Sequence, residues 1–396
     1  MTNTTASPSV SVAPAPAAAP AAAPVRVGIV GLSARGGWAA QAHLPALRLL
    51  PGFEVRALAA GSAASARAAG AAHGVPLAFG DAASLAASPE VDLVVVSVRV
   101  PLHREVVLAA LAAGKAVLSE WPLGNGAAEA RELADAAAAA GVRTFVGLQA
   151  GSAPAVRYVR DLVAGGYVGE VLSTSLVASG RRWGPVFEPA GAYLLDRANG
   201  GTMLTIPFGH TIDAVTMVLG EFAELSATTA VRRQVVREEG TGRPARMTAP
   251  DQVAVAGVLE SGAVASVHFR GGLSRATNFH WEINGTEGDL VITGDSGHLQ
   301  QARLTVRGAR GRAGVPEELP VPEHYQDVPA LTPLRGTPAH QVGALYADLA
   351  ADLTTGSGRV PDFAHAAHRQ GLLDAVERSA ATGRRVAPTG PVRTNE

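Results

Sequence analysis

The residue best placed by type and spacing to do chemistry is His210, in the run Phe208-Gly209-His210-Thr211-Ile212-Asp213. Histidine and aspartate at i and i+3 fall on one face of a helix. A neutral imidazole can accept a hydroxyl proton while hydride leaves the same carbon, and its unperturbed pKa suits that task near neutral pH. Asp213 would then orient the ring or help to bind substrate. Two readings compete with this one: a histidine beside an apolar stretch is often a packed structural group, and the pair also has the spacing of two metal ligands. No third ligand stands at a useful distance, so no metal is expected.

A second motif runs from Val25 to Gly37, VRVGIVGLSARGG, where a β-branched run breaks into a glycine-studded turn and then an alanine-rich helical pattern. The turn itself is Gly31-Leu32-Ser33-Ala34-Arg35-Gly36, a G-x-G-x-x-G fingerprint whose second glycine has become Ser33. A strand before it and a helix after it are the context in which backbone N–H groups meet a dinucleotide pyrophosphate; the alternative is a plain tight turn. The ribose-gripping acid expected about 20 residues further on is missing. That position reads Leu58-Ala59-Ala60-Gly61-Ser62. With no carboxylate to repel a 2′-phosphate, and with Ser62 and Arg67 able to receive one, NADP fits as well as NAD. Arg99 and His103 follow the strand pattern of Val91 to Val98, and Glu120 and Trp121 end the next one. Ligands in open α/β sheets bind at that carboxyl edge, where His103 either touches the cofactor or caps the following helix.

These groups need a frame. Strand-like runs VRVGIV, FEVRALAA, VDLVVVSV, KAVLSE and TFVGL alternate with alanine-rich helical patterns, which predicts βαβ units and a parallel Rossmann sheet over 25–150. Beyond it, FAELSATTAV, DQVAVAGVLE, AVASVHFRGG, NFHWEINGT and GDLVITG alternate as an antiparallel sheet with one covered face does. Hairpins are expected at Glu260-Ser261-Gly262 and Asn284-Gly285, and helices near 338–354 and 363–383. The chain therefore reads as a tail over 1–24, a Rossmann domain over 25–150, an α+β domain over 151–383 and a second tail over 384–396. A net charge of −1 without a basic block argues against a nucleic-acid surface or a membrane anchor. With 47% hydrophobic residues and no cysteine, a globular cytoplasmic protein is expected.

The glycine turn, the His103 block, Glu120-Trp121-Pro122 and Gly209-His210-Thr211-Ile212-Asp213 together resemble the Gfo/Idh/MocA family over about Val25 to Gly383. That resemblance implies a Rossmann domain, a second domain on an open antiparallel sheet, and NAD(P)-dependent oxidation or reduction of sugars, inositols and their derivatives. It places Arg181, Arg182, Trp183, Tyr193 and Asp196 along the substrate pocket, where aromatic faces and guanidinium forks suit sugars and carboxylates. GLSARGGWA, SEWPL, FGHTID and NGTEGDL resemble one branch in particular, that of a fungal galactose-pathway transcriptional regulator, and Gln149 resembles that branch more than the enzymes.

The departures bear on activity. Family enzymes read Glu-Lys-Pro, with a lysine near the nicotinamide; this chain has Trp121, which offers one donor and no titratable base. Ile206 replaces an aspartate four residues before the histidine, and Val98-Arg99 replaces Thr-Pro. The expectation is an NAD(P)-dependent oxidoreductase with His210, Asp213 and Tyr193 at the reacting centre, a sugar-like small molecule as partner and a homo-oligomeric state. A non-catalytic dinucleotide-binding regulator and a retained-cofactor elimination or glycoside-cleaving enzyme are the alternatives.

Overall fold

The computed structural model describes residues 23–311, 314–326 and 328–388. Most of both expected tails lies outside these residues. Within the expected second tail, Val386 exchanges two 2.8 Å backbone hydrogen bonds with Leu225.

Six parallel strands form the amino-terminal sheet: β1 (Val25–Val30), β2 (Phe53–Ala59), β3 (Leu77–Phe79), β4 (Leu93–Val96), β5 (Ala116–Glu120) and β6 (Thr144–Gly147), in the order 3-2-1-4-5-6. Every residue of β4, LVVV, is buried, as a central parallel strand covered on both faces requires. Helices α1 (Leu44–Leu49), α2 (Ala63–His73), α3 (Ala82–Ala87), α4 (His103–Ala112) and α5 (Ala127–Ala140) make the crossovers. Each of these connections returns the chain so that the next strand also ends on one edge, and the loops after β1, β4, β5 and β6 gather there.

The second domain carries α6 (Pro154–Ala164), β7 (Val171–Gly180), β8 (Val186–Phe187), α7 (Gly209–Leu219), β9 (Phe222–Ala230), β10 (Val235–Glu238), β11 (Pro244–Arg246), β12 (Gln252–Leu259), β13 (Val264–Gly271), β14 (Phe279–Gly285), β15 (Gly288–Gly294), β16 (Leu304–Arg310) and β17 (Glu317–Glu318). Its eight-stranded sheet has the order 17-16-15-14-7-13-12-9, and β8, β10 and β11 form a small separate sheet. The large sheet is mixed rather than wholly antiparallel, since β7 pairs parallel with β13 and antiparallel with β14. The short link over 272–278 makes β13 and β14 run in opposite directions, so a strand lying between them must be parallel to one. The second hairpin turns at Thr286-Glu287, two residues beyond the start of the expected Asn284-Gly285, because Asn284 still pairs with Asp289.

Two last helices, α8 (Pro338–Thr355) and α9 (Phe363–Thr382), return toward the first domain. Tyr346 of α8 packs edge-on against Phe53 of β2, with ring centroids 5.3 Å apart, and Leu345 and Leu349 join the core that holds Val27 and Ile29. α9 is tied to α7 by charge. Arg369, only 2% exposed, donates to Asp213 at 3.1 Å and forks onto both oxygens of Glu221 at 2.8 and 3.0 Å. His365 reaches the same Asp213 oxygen at 2.6 Å. Burial pushes the Asp213 carboxyl up, but the His365 and Arg369 contacts outweigh it and hold the group below the usual carboxylate range.

Removing one partner of such a pair strands the others without compensation. Arg369→Ala is expected to lower the unfolding free energy by about 3 kcal/mol, read from urea denaturation; a loss under about 1 kcal/mol would show that the seam is held by packing alone.

Candidate functional site

A cleft of about 1100 Å³ opens where the carboxyl edge of the first sheet meets the second domain. Gly31, Arg99, His103, Glu120, Trp121 and Gln149 line it from one side, and Tyr193 and His210 from the other.

At its rim, β1 ends in the glycine turn. Gly31 has φ +103°, and a Cβ there would lie 2.3 Å from the Ser97 carbonyl oxygen, so the residue is obligatory where the β1 and β4 loops touch. Ser33 replaces the missing glycine by folding back on the loop: its Oγ accepts from Arg35 N at 3.2 Å, and His73 of α2 donates to its carbonyl at 3.0 Å. Gly36 has φ +98° with nothing within 4 Å of where a Cβ would stand, which leaves the outer side of the turn open for a ligand to approach. Leu32 is buried beneath this turn, and Ala34 and Arg35 are exposed on it. These features fit a dinucleotide phosphate cradle. At the end of β2 Ser62 caps α2 in a reciprocal box with Ser65, which already engages its hydroxyl.

Along the edge, His103 is buried, with Nε2 3.1 Å from the Val98 carbonyl and Nδ1 facing the Leu123 carbonyl and the Ser119 hydroxyl at 3.3 and 3.5 Å. These contacts make it a brace between the loops after β4 and β5. Glu120 Oε1 lies 3.0 Å from His43 Nε2, an ion-pair distance without hydrogen-bond alignment, and His43 Nδ1 meets the Tyr346 hydroxyl at 2.8 Å. Trp121 is 4% exposed and donates its indole N–H to the Thr205 carbonyl at 2.6 Å. It can seat there only because Gly209 has no Cβ, which would stand 2.6 Å from Nε1. The indole therefore occupies the floor beside His210 and performs no proton transfer.

Across the cleft, His210 opens α7 and is 3% exposed. Burial, reinforced by His298 and only partly offset by Asp213, lowers its pKa to about 3. Asp213 does not line the cleft and is committed to His365 and Arg369 on α9, so it neither grips the His210 ring nor is free for substrate; the sequence assignment of it to the reacting centre is corrected. Tyr193 carries the Arg99 guanidinium 4.8 Å above its ring, a contact that joins the two walls.

Three residues stand out beyond those expected at the reacting centre. His298 and Gln300 come from the loop between β15 and β16, and Trp183 stacks on His298 with centroids 6.3 Å apart and planes 11° from parallel. Trp183 has φ +60°, a left-handed conformation costly for an indole residue and held by its N–H bond to the Leu194 carbonyl at 3.0 Å. Burial, then the charges of Arg182 and Arg181, lowers the His298 pKa to about 4. The one sequence signal for this loop was a glycine-flanked polar cluster, Asp295-Ser296-Gly297-His298, directly after a strand. Five buried atoms in the cleft wall have no partner among the described residues: Trp38 Nε1, Gln149 Oε1, His210 Nδ1, His298 Nε2 and Gln300 Oε1.

Both histidines titrate near 6.5 when unfolded and lower when folded, so between about pH 6.5 and 4 the unfolded chain binds more protons and stability falls with acidification. The loss is up to about 1.4 kcal/mol per pH unit for each. Urea denaturation across that range is expected to give a shallower slope in His298→Asn by close to one proton; an unchanged slope would place the acid sensitivity elsewhere.

Residues 25–148 match the oxidoreductase family with an NAD-binding Rossmann fold, and residues 154–294 match the C-terminal domain of Gal80p. The chain is 32% identical over 315 residues to the galactose/lactose metabolism regulatory protein GAL80 of Saccharomyces cerevisiae, covering 74% of this chain and 72% of that one. It is 34% identical over 284 residues to the dehydrogenase aclE of Aspergillus oryzae, covering 69% and 77%. A crystal structure of a super-repressor mutant of yeast Gal80p superimposes with a TM-score of 0.83 at 26% identity over 92% of this chain and 98% of that one. Levoglucosan dehydrogenase in complex with NADH and levoglucosan shares the fold, with a TM-score of 0.78 at 22% identity over 92% and 100%. The chain belongs to the Gfo/Idh/MocA oxidoreductase family, with an NAD-binding Rossmann domain joined to a Gal80-like second domain.

Proposed function

We propose that the chain is an NAD(P)-linked oxidoreductase acting on a carbinol carbon of a sugar, polyol or related cyclic alcohol, with His210 handling the proton. The observation that carries this reading is the set of five unpartnered buried atoms in one cleft, Trp38 Nε1, Gln149 Oε1, His210 Nδ1, His298 Nε2 and Gln300 Oε1. Each such atom left bare costs about 1–3 kcal/mol. A ligand with several hydroxyls can satisfy all five, because every hydroxyl both donates and accepts.

When bound, the dinucleotide supplies or accepts the hydride. Gly31, Leu32, Ser33, Ala34, Arg35 and Gly36 would hold its pyrophosphate, and the acid-free end of β2 admits NADP as well as NAD. Trp121 walls the floor and excludes water, and Gln149 orients a donor from the sheet edge. A conjugate-acid pKa of about 3 keeps the His210 imidazole neutral, so it accepts a hydrogen bond from a substrate hydroxyl. As the carbinol carbon is oxidised, that hydroxyl becomes strongly acidic, and a weak base suffices to take the proton. The outer face of the large sheet, with exposed Ser175 and Ser266, is the surface through which we propose a homo-oligomer forms.

A second reading is a dinucleotide-binding regulator that holds another protein. Trp121 favours it, since the indole replaces the family lysine and its single donor is spent on Thr205.

Nicotinamide absorbance across a panel of sugars and polyols separates the two. Turnover is expected, and His210→Asn should lower kcat by about 10²-fold or more while changing the NADH Kd only a few-fold. Equal activity in variant and parent removes His210 from the mechanism, and NADH binding without turnover on any panel member favours the regulator. Gly31→Ala is expected to weaken NADH binding by roughly ten- to hundred-fold, the equivalent of about 1–3 kcal/mol of overpacking; unaltered affinity would place the dinucleotide elsewhere.

A further inference from the structure

We propose that the substrate carries an anionic group, a carboxylate or a phosphate ester, held by Arg99, Arg181 and Arg182. The proposal rests on the reading of the cleft as a substrate site. All three arginines line that cleft, Arg99 from the loop after β4 and Arg181 and Arg182 from the end of β7, so cations from both domains converge on one space.

Their own partners are few. Among the described residues neither Arg99 nor Arg182 makes an ion pair, and Arg99 rests on the Tyr193 ring instead. Arg181 reaches Glu188 only at 3.5 Å, with both side chains more than half exposed, a pair of little strength. The acids that line the cleft do not answer them: Asp295 is held by Arg303 through 2.8 and 3.0 Å bonds, and Glu120 faces His43 on the opposite edge.

The field of these arginines reaches the floor, because Arg182 and Arg181 act with burial to push the His298 imidazole toward its neutral form. Three guanidinium groups open to solvent on one cleft rim offer forked donors that a neutral polyol leaves unused and that a carboxylate or phosphate takes directly. The stacked Trp183 and His298 rings lie beside them and give the carbon skeleton a flat wall. Phosphates of a bound dinucleotide offer the rival use of this charge. The glycine turn that would cradle them stands on the first domain with Arg99, whereas Arg181 and Arg182 come from the second.

The test is a calorimetric titration of the full chain saturated with NADH, using D-glucose, D-glucuronate and D-glucose 6-phosphate as probes. At least one anion is expected to bind ten-fold or more tightly than glucose, to weaken as salt rises, and to lose that preference in Arg182→Met while Arg182→Lys keeps part of it. Preference for glucuronate alone assigns a carboxylate, and preference for glucose 6-phosphate alone assigns a phosphate ester. Anions that bind no better than glucose, or a preference that survives Arg182→Met, would overturn the proposal. Failure to bind NADH would instead remove the dinucleotide reading, and the same titration without NADH still decides the question of the anion.

Discussion

Trp121 donates its indole N–H to the Thr205 carbonyl at 2.6 Å, and much of the site follows from that bond. The donor sits at the end of a strand of the first sheet and the acceptor on the turn that leads into α7, so one hydrogen bond fixes the seam between the domains beside His210. The indole fits because Gly209 leaves room for it, and with Trp121 in place His210 has an apolar neighbour where a lysine would bring a charge and water. In low-dielectric surroundings an imidazolium is expensive, which is why the His210 pKa falls to about 3. A second neutral imidazole, His298, comes from the far side under the same constraint. The floor is thus buried and lined by neutral imidazoles, with hydrogen-bonding capacity left open.

The rest of the fold holds that floor in place. Asp213, Arg369, Glu221 and His365 lock α7 to α9, and α9 in turn packs on α5 of the first domain, so the helix bearing His210 is braced against both sheets. Charge is kept in the seam or on the rim. The rim arginines are open to solvent, and the cleft atoms that lack partners lie deeper.

Much of the frame was legible in the sequence. Five of the six strands of the first sheet stood out because buried parallel strands are continuous β-branched runs; β3, Leu-Ala-Phe, is too short and too plain to show. β16, LTVRGAR, was hidden because two arginines and Gly308 break the apolar alternation, and the parallel pairing of β7 with β13 depends on which strand slots between two others, a choice that local pattern does not encode. At the site, the glycine turn was readable because Gly31 must lack a Cβ at its bend, and the sequence placed His210 by residue type alone. Asp213 misled: i, i+3 spacing puts two side chains on one face, but α9, more than 150 residues later, turned that carboxylate away from the cleft. His298 and Gln300 gave little signal, since they come from a loop with no periodic pattern and reach the cleft only through sheet topology.

The most direct measurement is ¹⁵N NMR of the histidine side chains from pH 8 to 5, with His210→Asn and His298→Asn to assign the signals. The account predicts that both imidazoles stay neutral throughout, and that adding a hydroxylated ligand to the NADH-loaded protein shifts the His210 Nδ1 resonance. A midpoint near 6.5 for His210 would mean that burial does not hold the ring in its neutral form, and the account of the site would then fail.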